Sequence, residues 1–163
     1  MRGVQDALVS ERSGAELERL YRAEGDRLWR ALLGFSGDRD VASDAVAEAF
    51  AQALRRGQAL RDPRRWIWKA AFRIAAGELK QRRQRGTAGR TPPDSESSDP
   101  MLDVMVALKK LSPSQRAAVV LHHYADYPVK EVAVILGSTS AAIRVHLSRG
   151  RKRLRQLLED DDA

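Results

Sequence analysis

The sequence predicts an all-α chain of two small helical domains joined by a flexible linker, the C-terminal one a helix-turn-helix. Three observations carry that prediction. Apolar residues recur at helical spacing, with almost no alternating β-branched runs. Helix-start and helix-stop residues punctuate the chain at short intervals. One stretch, 86–100, holds Thr, Gly, Pro, Ser and Asp without a large apolar residue, which is the composition of a linker. It divides the 163 residues into an N-terminal domain, 10–85, and a C-terminal domain, 101–158, followed by an acidic tail, 159–163.

Each element has a local reason. Ser13-Gly14-Ala15-Glu16 reads as a capping box that starts the first helix. Leu17, Leu20, Tyr21, Leu28, Leu32 and Phe35 follow as its inner face, and Gly34 and Gly37 end it. A second helix, 39–56, turns the small residues Val41, Ala45, Ala49 and Ala53 inward and stops at Gly57. Asp62-Pro63, an N-cap with Pro at the first helical position, opens a third helix to about Gln84. It carries Trp66, Ala70, Ile74 and Leu79. Beyond the linker, 101–111 forms a short helix. Ser112-Pro113-Ser114-Gln115 is a second capping box, and its helix runs to about Tyr124. Pro128 opens a helix that Gly137 closes, and Ser140 starts the last one, to about Leu158.

Charge and composition narrow the function. The chain has 29 Lys+Arg against 22 Asp+Glu, a net +7. Residues 101–158 hold 10 basic and 3 acidic residues, also +7, so the C-terminal domain is the electrostatic footprint of a polyanionic partner. The absence of Cys excludes disulfides, thiolate zinc sites and Cys nucleophiles. His122 and His123 are adjacent and diverge on a helix, so no metal and no cofactor is expected. No nucleophile elbow or Gly-rich phosphate loop occurs, which argues against an enzyme. No apolar run approaches the roughly 18 residues of a membrane span and no signal-peptide core is present. A cytoplasmic protein, monomeric when free and without membrane contact, is expected.

Two basic elements stand out. In 128–147, Val132, Ile135 and Leu136 form one apolar face, Ala133 permits a close helix crossing, and Gly137 supplies the turn. Ile143 and Leu147 pack back, which is the helix-turn-helix pattern. A plain helical hairpin is the alternative. On the last helix Arg144, Ser148, Arg151 and Arg155 share the outward face, opposite Ile143, Leu147, Gly150, Leu154 and Leu157. Six basic residues and no acid lie between Ser140 and Arg155, the arrangement that reaches base edges and phosphates in a major groove. In the third helix, Arg61, Arg64, Arg65, Lys69 and Arg73 surround Trp66, Trp68 and Phe72, as single-stranded nucleic acid requires. Trp66 and Trp68 are two apart and cannot share a face, so one of them belongs to the core.

These stretches together resemble the small, extracytoplasmic-function (ECF) class of bacterial RNA polymerase sigma factors. Residues 44–50, Asp-Ala-Val-Ala-Glu-Ala-Phe, resemble the family's core-binding stretch, and 66–75 resemble the start of its −10-reading helix. Residues 111–116, Leu-Ser-Pro-Ser-Gln-Arg, and Glu131-Val132-Ala133 resemble two motifs of its C-terminal domain. Ala47, Arg73, Gly77 and Ala142 depart from the family pattern, which has Gln, Asn, Asp and Thr there.

The resemblance implies an alternative sigma factor that directs promoter recognition, DNA melting and transcription initiation without chemistry of its own. Asp44, Glu48 and Phe50 would bind core polymerase. Arg61, Arg64, Arg65, Trp66, Lys69 and Arg73 would bind the −10 element and capture one flipped base. Ser140, Arg144, Val145, Ser148, Arg149, Arg151 and Lys152 would bind the −35 duplex. The implied partners are core RNA polymerase, through its largest-subunit coiled coil and its flap, promoter DNA, and an anti-sigma factor. Two other readings are a helix-turn-helix regulator that binds DNA without docking on polymerase, and an interaction protein whose basic helices bind an acidic partner. The linker composition predicts two domains that move independently in the free protein.

Overall fold

Ser13 does not start the first helix. In the structure, a computed structural model that describes residues 1–86 and 100–161, α1 runs unbroken over Arg2–Ser36. Ser13 Oγ instead donates to the Val9 carbonyl at 3.1 Å, one turn back. Such back-bonding lets a serine sit inside a helix, and Arg2, Gln5, Ala7, Leu8, Glu11 and Arg12, six good helix formers among the eleven residues before it, extend α1 by three turns. Gly37, in the left-handed region at φ 67°, closes α1 by donating to the Leu33 carbonyl. Gly34 lies inside the helix and does not end it; a Cβ there would touch Val120 and Leu108.

The Asp38 side chain accepts from the Asp40 and Val41 amides at 2.8 and 3.1 Å and starts α2, Arg39–Arg56. Val41, Ala45, Ala49 and Ala53 are buried as expected, joined by Ala42 and Val46. Alanines of this size let α1 and α3 approach α2 closely. Gly57 leads into a short 3₁₀ turn, Gly57–Ala59. Asp62 accepts from the Arg65 amide at 3.1 Å, and with Pro63 it starts α3, Pro63–Gln84. Helices α1, α2 and α3 form one bundle.

In the second half, α4 spans Pro100–Lys109 and α5 Pro113–Val119. The capping box at Ser112 and Gln115 is reciprocal, with bonds of 3.2 and 3.3 Å. The chain leaves α5 through a wide π turn, Val120–Tyr124, where the Ala125 amide donates to the Val120 carbonyl. Then come α6, Val129–Leu136, and α7, Ser140–Asp161, separated by Gly137 at φ 63°. Val132, Ala133, Ile135, Ile143 and Leu147 are buried between them. A helix-turn-helix results, with the Thr139 hydroxyl capping α7 through the Ala142 amide. Among the described residues every element is helical. The expected linker lies almost wholly outside the described residues.

The two halves share one core instead of standing apart. The buried face of α3 is Ile67, Trp68, Ala70, Ala71, Phe72 and Ala75; Ala70 is inward as expected, while Trp66, Ile74 and Leu79 are only partly covered. This rotation from the expected stripe follows from α6 packing on α3 beside α1 and α2. Tyr21, expected inward, is 54% exposed. Trp68 stacks on Phe72 within α3 (6.3 Å, 14°) and meets Tyr127 edge-on across the seam (5.2 Å, 65°). Phe72 in turn meets Phe35 at 5.4 Å, and the Arg116 guanidinium lies 5.5 Å from the Phe35 ring centre.

Two stability predictions follow from this packing. A Cβ on Gly150 would lie 2.9 Å from Val119 Cγ2, where α7 crosses α5. Gly150→Ala therefore overpacks the helix-turn-helix and costs about 1–3 kcal/mol in urea denaturation. Burial alone would raise the Asp38 carboxyl, but the Val41 amide and the Arg82 guanidinium outweigh it and hold the group below its ordinary value. A depressed carboxyl stabilises at neutral pH, and that contribution disappears as pH falls through the folded-state value. Asp38→Ala then costs about 1 kcal/mol at pH 7 as a lost cap, and its difference from wild type narrows in acid.

Candidate nucleic-acid and polymerase interface

Helix α7 presents the strongest surface. Arg144, Val145, Ser148, Arg149, Arg151 and Lys152 are exposed and Ser140 is half-buried at the first turn. Ile143, Leu147 and Gly150 bury the opposite side, so α6 and α5 fix which face looks outward. The seven residues expected to read a duplex are therefore brought together on two adjoining outward rows. No acid interrupts them, and none of these basic residues has an ion-pair partner among the described residues.

The second basic set is divided. Arg61 and Arg73 are exposed. Trp66 is half-buried beneath the Arg56 guanidinium, 5.1 Å from its ring centre, while Trp68 is the core tryptophan at 1% exposure. Lys69 is half-buried. Arg64 pairs with Glu24 of α1 at 3.2 Å. Arg65 reaches across the seam to Glu131 of α6. The segment 57–63 also borders a cleft of about 330 Å³ against α1, lined by Arg12, Glu16, Leu17, Gln58, Leu60 and Arg61. The sequence offered no signal for Arg12 and Glu16, because a pairing across more than forty residues leaves no local pattern.

On α2, Asp44 and Glu48 are exposed one turn apart. Glu48 accepts from Gln52 Nε2 at 2.9 Å and Arg55 Nη2 at 3.0 Å, and these donors, Gln52 first, hold its carboxyl below the ordinary value. Phe50 meets Tyr21 edge-on at 5.1 Å. With Gly14, Leu17 and the 58%-exposed Leu54 they line an apolar groove beside the two acids. A pair of carboxylates next to an apolar groove suits a basic amphipathic helix.

The histidine pair has structural surroundings. His122 Nδ1 lies 2.8 Å from the Tyr127 carbonyl and donates to it in the tautomer that makes this bond. Burial, then the neighbouring His122 and Arg151, hold His123 below the ordinary histidine value. Among the described residues no cluster of His, Asp and Glu could hold a metal, and no helix is long and apolar enough to cross a membrane.

Residues 101–154 match the family described as Sigma-70, region 4. The ECF RNA polymerase sigma factor SigJ of Mycobacterium tuberculosis is 33% identical over 128 residues, 68% of this chain and 41% of SigJ. The RNA polymerase sigma-E factor of Streptomyces antibioticus is 28% identical over 156 residues, 90% of this chain and 87% of that protein. The chain is an ECF sigma factor. The sigma factor RpoE of Bartonella quintana, solved in complex with the anti-sigma factor NepR, has the same fold at TM-score 0.76 and 20% identity, covering 88% of this chain and 97% of that one. Sigma-70 region 4 together with ECF relatives makes this chain a factor for promoter recognition in transcription initiation, and a regulator working without polymerase is not favoured. The sigma factor spans less than half the length of SigJ but most of the length of the sigma-E factor.

Arg144 tests the outward face of α7. Arg144→Ala should weaken binding to a cognate promoter duplex by about 1–3 kcal/mol while scrambled duplex binding changes little, measured by fluorescence anisotropy. Equal losses on both duplexes would reduce Arg144 to a phosphate contact.

Proposed function

We propose that this sigma factor recruits core RNA polymerase through α2, reads the −35 duplex with α7, and holds the melted −10 strand along the start of α3. The observation that carries the reading is the outward face of α7: six basic residues and no acid between Ser140 and Arg155, on a helix-turn-helix matched to sigma-70 region 4. Ser140, Arg144, Val145 and Ser148 sit in the first turns, where a helix entering a major groove reaches base edges. Arg149, Arg151 and Lys152 meet the flanking phosphates.

Arg61, Arg64, Arg65, Lys69 and Arg73 supply charge to the −10 strand, and Trp66 supplies a flat partner. The cleft between α1 and 57–63 receives one flipped base. Unstacking that base costs a few kcal/mol, which stacking and hydrogen bonds in the cleft offset. Asp44 and Glu48 pair with arginines on the coiled coil of the largest polymerase subunit, and the groove at Phe50 takes an apolar side chain of the same helix. Helix α4 exposes Met101, Val104 and Val106, an apolar surface suited to the polymerase flap. The sigma factor performs no chemistry and works in the cytoplasm. An anti-sigma factor, as NepR is for RpoE, competes for these surfaces.

Asp44→Arg combined with Glu48→Arg tests the docking. The double variant should no longer co-elute with bacterial core polymerase in gel filtration and should lose run-off transcription, while promoter-duplex binding by the free chain persists. Normal co-elution would remove α2 from the interface.

A further inference from the structure

The C-terminal half is strongly basic, yet what acids it has are placed with care. Residues 101–158 contain three acids, Asp103, Asp126 and Glu131, and two of them pair with arginines of the N-terminal half. Glu131, on α6, takes Arg65 in a fork: Nη2 donates to Oε1 at 3.2 Å, and Nε lies 2.9 Å from Oε2, off the line of its N–H. Asp126, in the loop before α6, accepts from Arg27 of α1 at 3.0 Å. Among the described residues Asp126 is the one non-glycine at positive φ, 58°. Glycine holds that conformation at less cost, but glycine has no carboxylate. Between the two pairs, Tyr127 lines a cavity of about 410 Å³, with the Trp68 ring meeting it at 5.2 Å and the Arg64 guanidinium 5.9 Å from its ring centre.

We infer that the Arg65–Glu131 and Arg27–Asp126 pairs form an autoinhibitory clasp that holds the free sigma factor closed and occupies Arg65, one of the arginines meant for the −10 strand. This rests on the reading of α3 as the −10 surface. The outward face of α7 stays uncovered in the closed form, so the clasp withholds Arg65 from one reader and leaves the other available.

The clasp is built to open. Both pairs are partly exposed, with Arg65 and Glu131 side chains at 40% and 31% and Asp126 at 81%, so salt screens them and a competing polyanion can replace them. The closed seam also buries polar groups without return. Trp68 Nε1 and Arg116 Nε are buried and make no hydrogen bond among the described residues. Arg116 is 8% exposed with no carboxylate partner there, and burial, then the nearby Arg83, pull its guanidinium below the ordinary arginine value. A DNA strand or polymerase that takes Arg65 therefore meets a seam already carrying desolvation costs.

The full chain has no native Cys, so Arg39→Cys and Gln156→Cys provide two exposed labelling positions for resonance energy transfer. Raising salt from 0.05 to 0.5 M, or introducing Glu131→Gln with Asp126→Gly, should lengthen the distance. Asp126→Gly relieves the backbone, so unfolding does not confuse its result. Arg65→Glu should open the chain, and Arg65→Glu with Glu131→Arg should close it again. A distance indifferent to salt and to all these variants overturns the clasp, as does failure of the charge swap to reclose it. The second readout is the affinity of Glu131→Gln/Asp126→Gly for a labelled twelve-nucleotide oligothymidylate, expected to rise about fivefold. Opening without that rise keeps the clasp and removes the −10 role of α3. Opening with it supports both.

Discussion

Trp68 is covered from two sides, and the joint placement of both halves depends on how. Its ring stacks on Phe72 from its own helix and receives the edge of Tyr127 from the other half. Phe72 passes the contact to Phe35, and Phe35 lies beneath Arg116. The row thus begins and ends in the C-terminal half and runs through the N-terminal core between. Each aromatic pair adds about 0.5–1.5 kcal/mol beyond its buried area. The row therefore orients α6 and α5 against α3 and α1, and the orientation of α6 decides where Gly137 throws α7.

Local features of this chain were legible in the sequence and long-range ones were not. Asp62-Pro63, Ser112-Pro113 and Gly137 each act within four residues, and each starts or stops a helix where the sequence places it. The alanine face of α2 follows from spacing alone. Ser13 fails because the same hydroxyl that caps a helix also bonds one turn back inside it, and the preceding residues decide which. Gly34 fails because a glycine can serve an approach between helices, here toward Val120, as well as a terminus.

The candidate site divides in the same way. The α7 face is periodic, so its residues are visible as a set. The clasp joins positions 65 and 131, and 27 and 126, whose separations carry no period. Linker composition speaks for independent halves, since nothing in 86–100 can anchor a core. It says nothing of what Tyr127 and Glu131 find on α3. Apolar burial across the seam was likewise hidden: Ile67 and Trp68 are covered together because two different layers reach α3, whereas periodicity assumes one.

The π turn at Val120–Tyr124 has a bearing on chain length. A regular α-helix advances about 100° per residue, and a π turn absorbs one residue more than a regular turn does. The amides of Ala125 and Tyr127 close it onto the Val120 and Leu121 carbonyls at 3.1 and 3.0 Å. A homologue one residue shorter here would gain a tidier helix, but its counterpart of Tyr127 would be turned away from Trp68. Gain or loss of residues is therefore costly between Val120 and Pro128, and relatives that keep the closed arrangement should align there without gaps.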